Sequence, residues 1–445
     1  MIKRATGAFT GREWGLLGIL LAVQFCHILD FVLIMPLGPM LMRSLDASAK
    51  EFGLLVSAYT FSAAITGLVA SAYMDRFDRK RMLMVLLAGF GVGTLLCGLV
   101  DSYGALMAAR VVAGGFGGVL AGVVFAIVGD QIRPERRATA MGVVMGGFSA
   151  ASVLGLPFGL SLAESTGWQT PFLVLAGVTG AILVLGTWLL PPMNAHLAHR
   201  REGSVFRDLV QVARDPEHVK AFTLTTAIMF SAFTVVPFLS PYLVGNVGMP
   251  ENKLDLIYFA GGLATLVTGP AVFGPLADRY GHARVFAWVA VGSMLPIAVV
   301  TNLPVSPLWV ILTVTTLMMI MASGRMISAT ALVTGVVHPA RRGSFMSLNS
   351  SVQQGAAGLA ASVGGLMIAG GGGSNAPITG YPAVGALAIA ATLTTVLLVR
   401  RLRPAQVERA VPQLDQAGAP AVAAPLEAPR RPVAADDRTI PGIRT

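Results

Sequence analysis

Residues Ser71–Arg81 read SAYMDRFDRKR, and residues Gly274–Arg284 read GPLADRYGHAR. Each stretch follows one long apolar run and precedes another. The Asp-Arg-aromatic triplet recurs at an offset of 203 residues. Two more landmarks share almost that spacing. Pro36 and Pro39 in the first apolar run answer Pro237 and Pro241 in the seventh, at offsets of 201 and 202 residues. Landmarks that recur at one spacing mark a duplicated chain.

The runs around these landmarks number twelve: 14–42, 53–74, 82–100, 105–128, 138–162, 170–190, 220–246, 254–277, 285–303, 307–335, 343–369 and 381–400. They are continuous and about twice the ~10 residues of a barrel strand, so they predict helices of the ~20 residues a bilayer requires. Composition agrees. The 445 residues are 54% hydrophobic and 12% charged, against about 25% charged in an average soluble domain. That excludes a set of soluble domains. The run from Trp14 is too long for the apolar core of a signal peptide and reads as a first span. Cys26 and Cys97 both lie in apolar runs and offer neither a disulfide framework nor a metal site.

Basic residues orient the chain. With helices alternating in direction, 27 of the 32 Lys and Arg fall on one side and three on the other, and Arg110 and Arg325 lie within spans. The positive-inside rule makes the rich side cytoplasmic, so the net charge of +10 is a topology signal and not a nucleic-acid signal. The expectation is an all-α membrane protein with 12 transmembrane helices in two six-helix repeats and both termini cytoplasmic. Residues 14–190 form the N-terminal bundle, 191–219 a cytoplasmic central loop, 220–403 the C-terminal bundle, and 404–445 a disordered cytoplasmic tail rich in Ala and Pro.

Parallel duplication of six-helix units is a transporter architecture, with the substrate site near the midplane between the copies. The loop motif is more specific. It resembles the Gly-x-Leu-Ala-Asp-Arg-x-Gly-Arg-Lys signature of the major facilitator superfamily, and the chain is similar to its twelve-helix proton-coupled drug and sugar efflux branch over about residues 14–400. The second copy matches at Gly274, Leu276, Ala277, Asp278, Arg279 and Gly281. The first keeps Asp75, Arg76, Arg79 and Lys80 but has Ser71 and Asp78 at the two glycine positions. The resemblance implies the major facilitator fold, and a latch between Asp75 and the start of the eleventh helix.

Charge within the spans marks the candidate site. Asp30 is the one acid in the middle of a span, where a charge costs at least ~3 kcal/mol unless paired, neutral or wet. Gln24, His27 and Asp30 are spaced by three and share a helix face. Asp30, His27 and Arg110 are read as the proton-coupling group, Asp30 as the titrating carboxylate and Arg110 as its partner. A structural Asp30 bonded to a neighbouring helix, or one that binds a cationic substrate, is the alternative. Arg110 precedes Gly114, Gly115, Gly117 and Gly118, read as close-packing positions. This resembles the family's Arg-x-x-Gln-Gly-x-Gly motif, with Ala113 in place of the glutamine. Gln24, Arg325, Asn349 and Gln353 are assigned to the substrate cavity; for Asn349 and Gln353 hydrogen bonding from helix to helix is the equal alternative, and Arg325 suits an anionic or hydroxyl-rich substrate, a pairing with Asp30, or a structural role. Tyr59 and Phe61 are the aromatics expected to face the cavity. In the fifth run Gly155, Pro157 and Gly159 form a looser version of the family's antiporter motif.

The function this implies is secondary active transport, as proton-coupled efflux of a drug, sugar or metabolite. Uptake by symport or uniport is the alternative. The partners are a small-molecule substrate, protons and membrane lipid. A monomer in the plasma membrane is expected, with no cofactor, no metal and no enzymatic activity.

Overall fold

The computed structural model of the protein describes residues 9–194, 205–338, 342–370 and 377–401. Among them eleven helices are long and apolar enough to cross a membrane: α1 (Gly11–Leu33), α2 (Ala49–Ser71), α3 (Arg79–Leu99), α4 (Tyr103–Gln131), α5 (Pro134–Thr166), α6 (Thr170–Leu189), α7 (Pro216–Gly245), α8 (Glu251–Tyr280), α9 (His282–Thr301), α10 (Leu308–Gly335) and α12 (Tyr381–Val399). Between the last two runs α11 (Arg342–Met367), 26 residues long. It has the length of a span but carries Asn349, Gln353, Gln354 and several serines, which keep it out of the apolar set. Strand structure among the described residues is limited to one bridge, Ala369 to Thr379.

Helix starts follow local chemistry. Thr10 and Ser48 open α1 and α2 with capping boxes, each side chain accepting from the backbone N–H three residues on while Glu13 or Glu51 accepts from the cap. Asp78 caps α3 and Ser102 caps α4.

The duplicated prolines break their helices in matching places. α1 ends at Leu33 and a short helix follows at Gly38–Ser44. α7 pauses after Phe233 and resumes as Val236–Gly245. Proline removes a backbone donor and crowds the preceding turn, so both sites interrupt the ladder. The two breaks meet. A Cβ on Gly38 would lie 2.9 Å from the Pro241 ring, so glycine is what lets them close. Beside this contact Arg43 and Glu251 form an ion pair at 3.1 Å, and Phe52 packs edge-on against Phe238. The first and second halves of the chain are therefore joined at the end away from the termini.

A long seam joins the halves elsewhere. Ser57 of α2 donates to the Gly358 carbonyl of α11 at 2.7 Å, and Ser362 donates to Ser57 at 2.8 Å. Gly53 meets the Ala361 backbone and Gly67 meets Ser351. Small residues with interhelical hydroxyl bonds are how helices associate where lipid gives no hydrophobic drive, and they account for a helix as polar as α11.

α5 and α8 each contain one wide π turn, at Ala151–Gly155 and Gly269–Phe273. Pro157 and Pro275 stand two residues beyond, and the wide turn absorbs the missing donor in each.

The stretch 191–219, expected as a loop, contains a helix at Val205–Arg214, and α7 already begins at Pro216. Within that short helix Leu209 and Val212 are buried while Arg207 and Arg214 are exposed. Alternation with charge hides so short an apolar face from a hydropathy reading. The tail expected at 404–445 lies outside the described residues.

Candidate functional site

The charged site is built from the first four helices. Asp30 of α1 and Arg110 of α4 are fully buried, with Arg110 Nη1 2.9 Å from Asp30 Oδ2. The same nitrogen donates to the Asp30 backbone carbonyl at 3.2 Å. Thr94 of α3 donates its hydroxyl to Asp30 Oδ1 at 3.1 Å. The guanidinium lies over the Tyr59 ring of α2, 4.4 Å from its centroid, a favourable placement for a cation on an aromatic face. Phe31 stacks on the Tyr59 ring and, on its other flank, on Phe233 of α7.

Glycines set these distances. At Gly114, four residues after Arg110, a Cβ would collide with the Tyr59 carbonyl, so α4 rides directly on the α2 backbone. On α5, a Cβ at Gly147 would lie 2.9 Å from the Leu21 carbonyl, and at Gly155 and Gly159 it would meet Leu29 and Leu33, each at 2.9 Å. Gly147, Gly155 and Gly159 thus lie on the surface against which the Asp30 helix packs.

Several polar atoms of this site have no hydrogen-bond partner among the described residues: both ring nitrogens of His27, Gln24 Oε1, the Tyr59 hydroxyl, and Nε and Nη2 of Arg110. His27 touches neither Asp30 nor Arg110 through a hydrogen bond; its ring neighbours Phe90 at 6.3 Å. Gln24 packs against Gly147. Both lie in the interior of the first half, so Gln24 does not line the cleft described next. Chemically, the cluster is a carboxylate with one charged partner and a second, neutral set of contacts for that partner.

Arg325 of α10 is the arginine that reaches the counterpart of Asp30, Ser231, in the second half, although it stands 215 residues after Arg110 and so off the repeat spacing. It is 4% exposed, and its Nη1 donates to Ser231 of α7 at 3.2 Å and to Thr392 of α12 at 3.0 Å. Ser231 and Thr392 share a hydrogen bond of 2.7 Å. Nε of Arg325 and the hydroxyl of Ser328 have no partner among the described residues. No acidic side chain pairs with Arg325 among the described residues, and Asp30 pairs with Arg110 instead.

One turn from Ser231 and Arg325, a cleft lies between α7, α10 and α11. Thr225, Met229, Met326, Ala329, Asn349 and Gln353 are among its walls. Asn349 accepts from the Thr225 hydroxyl at 2.9 Å. The expected cavity residues Arg325, Asn349 and Gln353 are thereby brought to one region, and Gln24 is not.

The loop motifs divide. Arg79 is 5% exposed, pairs with Asp130 at the end of α4 at 3.0 Å, and donates to the Met74 carbonyl at 3.0 Å. Lys80 donates to the Thr187 carbonyl at 2.8 Å, and Arg76 lies over the Tyr73 ring. Asp78 fits at a glycine position because its φ is −56°. Its carboxylate caps the Arg81 N–H and accepts from the Met193 N–H at 2.7 Å, pinning the end of the sixth helix. In the second copy the same place has φ +88° and is Gly281, a conformation that disfavours a side chain. Asp278 and Arg279 are exposed there, and Gly274 closes the wide turn. The Asp75 side chain and residues 339–341 lie outside the described residues, so the latch does too.

Sequence reasoning missed Thr94, Thr392 and Ser328, whose only signal was a hydroxyl in an apolar run. Tyr59 was expected to face the cavity and is instead buried beneath Arg110; Phe61 lies beside Gly358 on the α2–α11 seam.

The sequence profile of the Major Facilitator Superfamily matches residues 20–219 and 221–435. The uncharacterized MFS-type transporter YceJ of Bacillus subtilis (strain 168) is 27% identical over 288 residues, covering 64% of this chain and 72% of that one. A probable sugar efflux transporter of Helicobacter pylori (strain P12) is 26% identical over 250 residues, covering 56% of this chain and 62% of its own length. Among solved structures, the nucleoside transporter NupG superposes with a TM-score of 0.70 at 12% identity, covering 88% of this chain and 100% of that one; at that identity the likeness speaks for the fold. With a family profile matched along most of its length, the chain belongs to the major facilitator superfamily: it is a multi-pass membrane transporter of small molecules and not an enzyme.

Proposed function

We propose that this transporter exports a small molecule in exchange for protons, with Asp30 as the carboxylate that takes up and releases the proton. The observation that carries the reading is the ion pair Asp30–Arg110, both members fully buried. Separating such a pair strands a buried charge and is strongly disfavoured, so its state of protonation bears on how the helices around it pack. A proton on Asp30 removes the charge that holds Arg110. The Tyr59 face and the Asp30 carbonyl still support the guanidinium, which gives the site two charge states within one set of neighbours. Arg325, Asn349 and Gln353 serve the substrate in the cleft of the second half.

The basic, terminus-bearing end is assigned to the cytoplasm. The end closed by Arg43–Glu251 and Gly38–Pro241 is then external, and the conformation is closed to the outside. Support for export comes from the name of the Helicobacter relative and from the resemblance of Gly155, Pro157 and Gly159 to the family's antiporter motif.

The test uses inside-out vesicles with an acidified lumen and a panel of cationic dyes, sugars and carboxylates. Accumulation of at least one compound that stops when nigericin collapses the pH gradient is expected. Gradient-driven accumulation in right-side-out vesicles with an acidic exterior would instead establish uptake.

A further inference from the structure

Arg325 presents a charge that no acidic side chain among the described residues balances. Its Nη1 bonds, to Ser231 and Thr392, are bonds to neutral hydroxyls, and a neutral amide would stitch α7, α10 and α12 as well. What remains unexplained is the full positive charge at 4% exposure, with Nε unpartnered among the described residues and, three residues further along α10, the fully buried Ser328 hydroxyl unpartnered as well. The first half shows what balance looks like. Asp30 stands 201 residues before Ser231, and where Asp30 supplies Arg110 with a carboxylate, Ser231 leaves Arg325 without one.

From this asymmetry we infer that Arg325, Ser231, Ser328 and Thr392 form an anion site that takes the carboxylate of the transported substrate. The cleft one turn away defines the rest of the molecule. Ile228, Met229, Met326 and Ala329 offer an apolar wall, and Thr225 and Asn349 offer polar groups. Methionine walls adapt to varied shapes. The substrate class is therefore a small organic carboxylate with an apolar body. The carboxylate stands to Arg325 as Asp30 stands to Arg110, and the hydroxyls of Ser231 and Thr392, now bonded to each other and to the Ala388 carbonyl, turn to donate to it. Asp30 already has its cation, so the two halves divide the work: the first carries the proton and the second the anion. This deepens the proposed function and rests on its placement of the substrate in the second half, but not on proton coupling or on direction.

The test is thermal unfolding of the purified full-length protein in detergent at fixed pH and ionic strength. Matched acid and amide pairs serve as probes: benzoate with benzamide, salicylate with salicylamide, hexanoate with hexanamide. At least one acid is expected to raise the unfolding temperature of the wild type by about 3 °C or more over its amide. Arg325→Gln removes that difference. Ser231→Asp supplies an internal carboxylate, folds at or above the wild-type temperature, and removes the difference as well. Asp30→Asn keeps it, which separates this inference from proton coupling: vesicles without gradient-driven export but with an intact acid–amide difference would overturn the coupling alone. A wild type stabilised by no acid beyond its amide, or a difference that survives in both Arg325→Gln and Ser231→Asp, overturns the anion site.

Discussion

Asp30 and Ser231 occupy matching positions 201 residues apart, and each receives an arginine from a helix of its own half: Arg110 Nη1 lies 2.9 Å from Asp30 Oδ2, and Arg325 Nη1 lies 3.2 Å from Ser231 Oγ. Each half brings an arginine to this position, and only in the first does it meet a carboxylate among the described residues. Much of the behaviour expected of this transporter follows from that difference.

The buried pair should be more sensitive to loss of its cation alone than to loss of both charges. Arg110→Gln alone leaves a carboxylate without its cation and is expected to cost about 3–5 kcal/mol. The double variant Asp30→Asn, Arg110→Gln removes both charges and is expected to recover most of that loss. Chemical denaturation or unfolding temperature in detergent checks it, and equal losses in the two variants would contradict the pairing.

Tyr59 contributes through its ring and not through its hydroxyl, which has no partner. Tyr59→Phe is expected to match or exceed the wild type in stability, because an unpartnered buried hydroxyl is a cost. Tyr59→Ala is expected to lose about 3–5 kcal/mol of packing and cation contact. Unfolding temperatures of the two variants, measured side by side, decide it.

Two glycines that look alike in sequence should behave differently. At Gly114 a Cβ meets the rigid Tyr59 backbone, whereas at Gly159 it meets only the end of the Leu33 side chain. Gly114→Ala is therefore expected to cost about 1–3 kcal/mol and to lower transport by displacing Tyr59 from Arg110. Gly159→Ala is expected to be nearly silent in both assays.

These contrasts show what was legible. Asp30, Arg110 and Arg325 stand out in sequence because hydrocarbon makes a stray charge expensive, and Ser231 follows from the repeat offset. The spans follow from length and apolarity. The partners do not. Nothing in a run of apolar residues says that Thr94 of one helix faces Asp30 of another, or that Thr392, in the last helix, reaches Arg325. Contacts between helices come from packing, and periodicity carries no record of which helix lies opposite. His27 illustrates the same limit: it shares a face with Asp30, yet its ring turns to Phe90. The helix at Val205–Arg214 was hidden because its apolar face is short and interrupted by charge.

The Arg43–Glu251 contact closes one end of the molecule and must open if access alternates. The pair is partly exposed, at 40% and 20%, so its own contribution is small, about 0–1 kcal/mol. Arg43→Ala is expected to leave stability unchanged. Joining cysteines introduced by Arg43→Cys and Glu251→Cys with a short bis-methanethiosulfonate, which links them through two mixed disulfides, is expected to abolish transport, with activity restored when a reductant cleaves those disulfides. The native Cys26 and Cys97 are buried and should not interfere. Full activity of the cross-linked protein would contradict movement at this end.

Proton coupling through Asp30 is the central claim, and proteoliposomes test it most directly. With a substrate identified from the vesicle panel, the wild type is expected to move it against its gradient when pH is the only driving force. Asp30→Asn is expected to lose that driven movement while still exchanging labelled for unlabelled substrate across the membrane at equal pH. An Asp30→Asn protein that accumulates substrate under a pH gradient as the wild type does would contradict the account.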